Sequence, residues 1–307
     1  MGKIDFVKAY FIKLGEKGLW EKSSIEEGKI RIGYDHQTLD DINKQKWVVI
    51  RKKLSQISSN ESTLTKDLND LKTLFQSTKD DIWITFYSSR LWWCRVGAPK
   101  IFQDKTSKYR KVDDSWHDSD VDGNTLYINR ISGKISKTQG YRGTRCTIHE
   151  IDELKRILNN TPSVEYNDIL EAKTTLIKAI QKGLKQLHWK DFETLIDLVF
   201  RHAGWRRISV VGETMKYVDL ELEEPITGDL YQVQIKSSAS LQDFNSYKKD
   251  FSKKNFRKLY FVVHSPERSL ENYNSDSLKD VELLLSHRLS EMIADAGLSN
   301  WLMNKIK

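Results

Sequence analysis

The sequence predicts an α+β chain of two domains. At 307 residues it is about twice the length of an ordinary domain, so each half can bury its own core. The first half is rich in short β-branched and aromatic runs, which read as strands. From His188 onward, helical and strand periodicities alternate, as an α/β unit requires.

In the first half the predicted strands are KIRIGY (29–34), WVVIRK (47–52), DIWITFY (81–87), LWWCRV (91–96) and NTLYINRI (124–131). Ser88-Ser89-Arg90 reads as a hairpin loop between the third and fourth. Leu64, Leu68, Leu71 and Phe75 form one apolar stripe and predict a helix over 63–76. A short helix over 151–158 is followed by Asn-Asn-Thr-Pro-Ser (159–163), a break that ends the first domain near residue 160. Residues 161–187 form a helical connector, with Ile169, Leu170, Leu176, Ile177 and Ile180 packed against one domain. The second domain, 188–307, runs helix (188–205), strand (216–224), strand (231–238), basic helix, strand (258–265) and a helical tail from Ser277.

Hydrophobic residues at 38% and charged residues at 30% describe a globular chain with a well-solvated surface. The net charge of +7 favours a polyanionic partner. Two cysteines, Cys94 and Cys146, are too few for a disulfide framework, and no apolar run reaches membrane-spanning length or forms a secretory leader. A cytoplasmic protein without a membrane partner is expected. No GxxxxGK[ST] string is present, so no phosphate-cradling loop of that kind is expected.

The chemistry gathers in the second half. On the 188–205 helix, Phe192, Leu195, Ile196 and Val199 mark the apolar face, and Glu193 shares a face with Ile196 and Phe200. A carboxylate there needs a cation or a polar partner. Alternation puts Tyr217, Asp219 and Glu221 on one side of the first strand, and Gln232, Gln234 and Lys236 on one side of the second. Paired as a hairpin, these strands bring Asp219 beside Gln234 and Lys236, with Glu193 approaching from the helix. Carboxylate and amide oxygens suit a hard divalent cation, and a lysine can orient or deprotonate a water. Asp219 is the expected principal ligand, Glu193 a second acidic ligand, Gln234 an amide-oxygen ligand and Lys236 the catalytic lysine.

Phe192-Glu193-x-Leu195 on a helix, Val218-Asp219-Leu220 on a strand and Val233-Gln234-Ile235-Lys236 on the next resemble the Mrr-type branch of the PD-(D/E)xK nucleases over residues 188–265. That branch has glutamine in place of the acidic residue before x-Lys. The resemblance implies a restriction-endonuclease-like α/β domain and Mg²⁺-dependent cleavage of double-stranded DNA, with Mn²⁺ as a substitute cation and a homodimer for cutting both strands. Where the branch carries glycines just before its aspartate, this chain has Met215-Lys216-Tyr217-Val218. Downstream, residues 247–258 hold six basic residues against one acidic, and Lys248, Lys249, Lys253, Lys254 and Arg257 are expected to contact phosphates.

Six of the nine tryptophans (20, 47, 83, 92, 93 and 116) lie before residue 150. YFIKLGEKGLWEKSSIEEGKIRIGY, RLWWCRV and GYRGTRC are similar to PUA/EVE-like β-barrels, which implies a reader that flips a modified base into an aromatic pocket. Trp20, Trp93 and Trp116 are the pocket candidates. Arg95, Lys100, Lys105, Lys108, Arg110 and Lys111 are candidate phosphate contacts around it. A reader joined to a nuclease implies a stand-alone modification-dependent restriction or phage-defence enzyme. The alternatives are a non-catalytic nucleic-acid-binding protein on a nuclease scaffold and an RNA-directed module.

Overall fold

A computed structural model describes residues 2–33, 39–56, 60–208, 219–251, 255–274 and 278–307. The chain divides into two compact units, Met1–Ser163 and Val164–Lys307. No helix among the described residues is long and apolar enough to cross a membrane.

The first unit runs β1 (Lys8–Ile12), α1 (Glu21–Glu26), β2 (Lys29–Ile32), α2 (Leu39–Asn43), α3 (Trp47–Ser55), α4 (Glu61–Gln76), β3 (Asp81–Tyr87), β4 (Arg90–Cys94), β5 (Val96–Gln103), β6 (Lys108–Val112), α5 (Gly133–Ser136), β7 (Arg145–Ile148) and α6 (Ile151–Leu158). Its strands make two sheets, ordered β4-β3-β1-β7 and β2-β6-β5. The expected β-barrel is corrected here: among the described residues neither sheet closes. Strands β1 and β3 pair in parallel, which requires the long crossover through α1–α4. One face of the first sheet then packs Tyr10, Ile12 and Trp83 against Leu64, Leu68 and Leu71 of α4. The other packs Phe11, Ile84 and Phe86 against Ile135, Leu154 and Leu158. With both faces covered by helices, the sheet has no bare interior to close around.

Two predicted strands take other forms. Residues 47–52 lie in α3, because Ile50 and Leu54 are buried four residues apart while Val48 and Val49 face outward. Residues 124–131 make only isolated bridges, Arg90 with Tyr127 and Ser119 with Thr125, and a short 3₁₀ turn over Ile128–Arg130. Leu126 and Ile131 still enter the core, so their apolar character serves packing without pairing. At the β3–β4 hairpin, Ser88 and Ser89 take φ of 50° and 59°, the left-handed pair that a two-residue loop demands.

Arg110 on β6 is buried. Its guanidinium donates to the carbonyls of Leu74, Phe75 and Ser77 at the end of α4, and to those of Gly97 and Ala98 on β5. The Leu74, Phe75 and Ser77 carbonyls are among the orphan acceptors that every helix C-terminus leaves. Burial brings the Arg110 pKa down to about 10, so it remains charged at neutral pH.

The second unit runs α7 (Val164–Leu184), α8 (Trp189–His202), β8 (Arg206–Arg207), β9 (Leu220–Glu223), β10 (Leu230–Ala239), α9 (Leu241–Asp250), β11 (Lys258–Pro266), α10 (Arg268–Glu271), β12 (Val281–Leu285), α11 (Ser286–Asp295) and α12 (Ser299–Lys305). One sheet, ordered β12-β11-β10-β9-β8, is parallel from β12 to β10 and antiparallel through β9 and β8. Val233, Ile235, Val262 and Leu284 face a core shared with α7, α8, α11 and α12. Leu259, Phe261 and Val263 face Phe244 of α9 and Leu270 of α10. Strand β12 is an addition to the predicted helical tail: Val281–Leu285 pairs with β11 before the helix begins.

Arg110→Met should lower unfolding free energy by about 3 kcal/mol or more, because it leaves the buried carbonyls of Leu74, Phe75 and Ser77 without this donor. Arg110→Lys, which keeps the charge and loses the fork, should fall between the two. Urea unfolding measures this, and a methionine variant as stable as the parent would contradict the assignment.

Candidate active site

The site is built on β10. Its odd positions Val233 and Ile235 enter the core under α8, which turns Gln232, Gln234 and Lys236 to the opposite face. The antiparallel register sets Leu220 against Val233, and the Asp219 N–H donates to the Val233 carbonyl at 3.2 Å. Asp219 therefore stands beside Gln234. Its carboxylate accepts from Gln234 Nε2 at 2.5 Å and from the Ile235 backbone N–H at 2.6 Å.

Gln234 is 2% exposed. With its amide nitrogen turned to Asp219, its Oε1 has no hydrogen-bond partner among the described residues. Reversing the amide would press that oxygen on the Asp219 carboxylate, so electrostatics dictates the orientation. A buried, unsatisfied amide oxygen costs free energy unless something electropositive meets it.

Asp219 is half-buried, and burial raises its carboxyl pKa against the opposing pull of the Ile235 N–H, the Lys236 charge and the Gln234 amide. Glu193, near the start of α8, is raised by burial first and by the Asp219 charge second. Arg207, Lys236 and Lys190 act in the other direction. Glu193, Asp219, Gln234 and Lys236 thus form one electrostatic group. The Lys236 ammonium lies 5.2 Å over the ring of Tyr247 on α9. That helix starts directly after β10 with a reciprocal cap between Ser240 and Asp243.

Two carboxylates and one amide oxygen make an all-oxygen donor set, which fits a hard divalent cation such as Mg²⁺. Among the described residues no cluster of three or more His, Cys, Asp or Glu forms a metal site, so this set depends on the glutamine. Sequence reasoning missed Arg207. It follows Arg206 on a two-residue strand, where periodicity carries no signal; it approaches Asp197 of α8, four residues after Glu193, at 3.9 Å, and its charge acts on Glu193.

The other candidates separate. Lys248 and Lys249 occupy the last turn of α9, and Arg257 pairs with Asp229 at 2.8 Å. Lys253, Lys254 and the 215–218 segment lie outside the described residues. In the first unit Trp93 is buried with its indole N–H on the Ser119 carbonyl, and Trp116 is buried with its own on the Lys29 carbonyl. Trp20 is half-buried against Gly15, where a Cβ would come within 2.9 Å of the indole, and it borders a cavity of about 320 Å³ lined also by Lys13, Lys66, Arg142 and Thr144. Of the expected phosphate contacts, Lys108 and Arg110 are buried and unavailable, Arg110 being held by the end of α4.

No protein-family model matches the chain, and no relative is found among curated proteins. Among solved structures the chain is similar to the DNA modification-dependent restriction endonuclease AspBHI, at 12% identity and a TM-score of 0.32, over 79% of this chain and 73% of that one. It is also similar to the MspJI restriction endonuclease in complex with a 27-mer oligonucleotide, at 12% identity and a TM-score of 0.27, over 80% of this chain and 70% of that one.

Proposed function

We propose that the second unit is a Mg²⁺-dependent DNA endonuclease of the PD-(D/E)xK type. The observation that carries this reading is Gln234: its buried amide donates to Asp219 and leaves an oxygen with no partner among the described residues, within a group that also holds Glu193 and Lys236. Asp219, Gln234 Oε1 and Glu193, directly or through a water, would hold the cation, with Mn²⁺ as a substitute. When bound, Mg²⁺ supplies Lewis acidity toward the phosphate and lowers the pKa of a coordinated water. Lys236 orients the attacking water, takes its proton or offsets the charge of the phosphorane as the water oxygen bonds to phosphorus and the ester oxygen leaves. Tyr247 restricts where that ammonium can reach. Lys248, Lys249, Lys253, Lys254 and Arg257 supply phosphate contacts without reading sequence.

The first unit is proposed as the reader of a modified base, with Trp20 as its stacking platform, because Trp20 is half-buried at a cavity while Trp93 and Trp116 are buried with their indole N–H groups on backbone carbonyls. Continuous with the nuclease unit, which begins at Val164, it would make a modification-dependent restriction enzyme that acts in phage defence.

Lys236→Ala should reduce cleavage by about 10²–10⁴-fold while leaving thermal stability and DNA affinity near those of the parent. Cleavage assays on purified protein with Mg²⁺ decide this, and undiminished cutting would remove Lys236 from the site.

Asp219→Asn should abolish the thermal stabilisation that Mg²⁺ confers. Because the folded-state pKa of Asp219 is raised, the carboxyl's contribution to stability is complete below the unfolded value of 3.8 and is lost as pH rises through the folded one. Metal-free Asp219→Asn should therefore be more stable than the parent at neutral pH, and the difference should vanish in acid. Scanning calorimetry across pH tests the sign, and a variant less stable than the parent at neutral pH would make Asp219 a structural acceptor.

Trp20→Ala should erase any preference for a modified duplex, a loss of roughly 1–3 kcal/mol, and spare a salt-sensitive residual affinity. Fluorescence anisotropy in EDTA, with matched duplexes carrying cytosine, 5-methylcytosine, 5-hydroxymethylcytosine or N6-methyladenine, measures it. Equal binding of all four by the parent would count against the reader.

A further inference from the structure

Helix α7 changes character along its length. Ile177, Ile180, Gly183 and Leu184 are buried in its own unit, and Gly183 lets Leu302 and Ile306 approach closely. The preceding turns are bare: Ile169 is 69% exposed and Leu176 is 42% exposed. Ile169, Ala172, Leu176 and Ala179 follow one another at spacings of three, four and three, and all four are exposed. At 3.6 residues per turn this is a narrow stripe beside the buried face, with the a/d spacing of a coiled-coil seam.

Two features specify what covers it. The stripe alternates large and small, so a second copy laid antiparallel about an axis near Thr174 sets Ile169 against Ala179 and Ala172 against Leu176. Each bulky side chain then meets a gap. The flank beside the stripe is divided by charge: Asp168 and Glu171 lie on the N-terminal side, and Lys178 and Lys182 on the C-terminal side. Antiparallel pairing lays the acidic half of one helix along the basic half of the other, on both sides of the axis. Parallel pairing would not bring this flank against its own copy, so its divided charge would find no complement there.

We propose that two copies of this chain associate through an antiparallel α7–α7 contact centred on Thr174. The contact is isologous, so one patch serves both partners. It needs nothing from the nuclease reading. If that reading also holds, the two-fold axis supplies two copies of the site, one for each strand.

The test is sedimentation of the full chain over a concentration series, without DNA or metal. The parent should approach twice 35.9 kDa. Asp168→Lys with Glu171→Lys, and separately Lys178→Glu with Lys182→Glu, should each weaken association by at least about tenfold through like-charge repulsion along the seam. Combining all four substitutions in one chain, or mixing the two double variants, should restore it. All four positions are exposed, and circular dichroism checks that each variant keeps its helix content. A parent that stays monomeric at every concentration overturns the proposal. So does a dimer indifferent to both double variants, which would place the contact on another surface. Weakening by both without restoration on mixing rules out the antiparallel register.

Discussion

Strand β10 is buried on both faces and paired on both edges, antiparallel to β9 and parallel to β11, so its register has no freedom. A slip of one residue would drive Gln234 and Lys236 into the core under α8 and expel Val233 and Ile235 to the other face. The burial that stabilises the unit therefore also places Gln234 opposite Asp219 and aims Lys236 at Tyr247. The two parallel strands beyond it, β11 and β12, widen the platform, while β9 carries Glu221 and Glu223 and β8 adds Arg206 and Arg207 at the other edge.

Buried charges and a buried amide are met in different ways in the two units. Arg110 turns its guanidinium to five carbonyls, and Arg31 meets Asp104 and Glu27 with Lys29 alongside, so these charges are balanced by design of the fold. Among the described residues, Ser24 Oγ and Arg31 Nε in the first unit and Asp197 Oδ1, Gln234 Oε1 and His264 Nε2 in the second are buried without partners, but Gln234 Oε1 belongs to an amide bound to Asp219, and Asp219 and Glu193 are each pushed above their ordinary carboxyl values. A set of acceptors held close together with too few donors is unfavourable as it stands and favourable around a cation. That imbalance separates a structural polar network from a site prepared for a ligand.

The tryptophans show the same contrast in apolar form. Trp93 and Trp116 spend their indole N–H groups on backbone carbonyls inside the core, where large rings contribute area and leave nothing for a ligand. Trp20 sits where Gly15, at φ 85°, has no side chain to displace it, and its ring reaches the wall of a cavity bordered by three cationic side chains.

By itself the sequence determined what depends on neighbours along the chain. The apolar spacing of 61–76, 151–158 and 189–202 settles those helices, and the period of two in 231–238 separates Gln234 and Lys236 from Val233 and Ile235. Asp219 could be set beside Gln234 because a hairpin fixes its cross-strand partners through local register. Tertiary structure alone decided the rest. Residues 47–52 and 124–131 have strand-like composition, yet the burial of Ile50 with Leu54 and of Leu126 with Ile131 chose a helix and a bridged loop. Val281–Leu285 became a strand because β11 offered it an open edge. The approach of Arg207 to Asp197, the closing of Lys236 over Tyr247 and the fate of each tryptophan join residues distant in sequence. Such contacts follow from how layers pack, and no spacing along the chain encodes them.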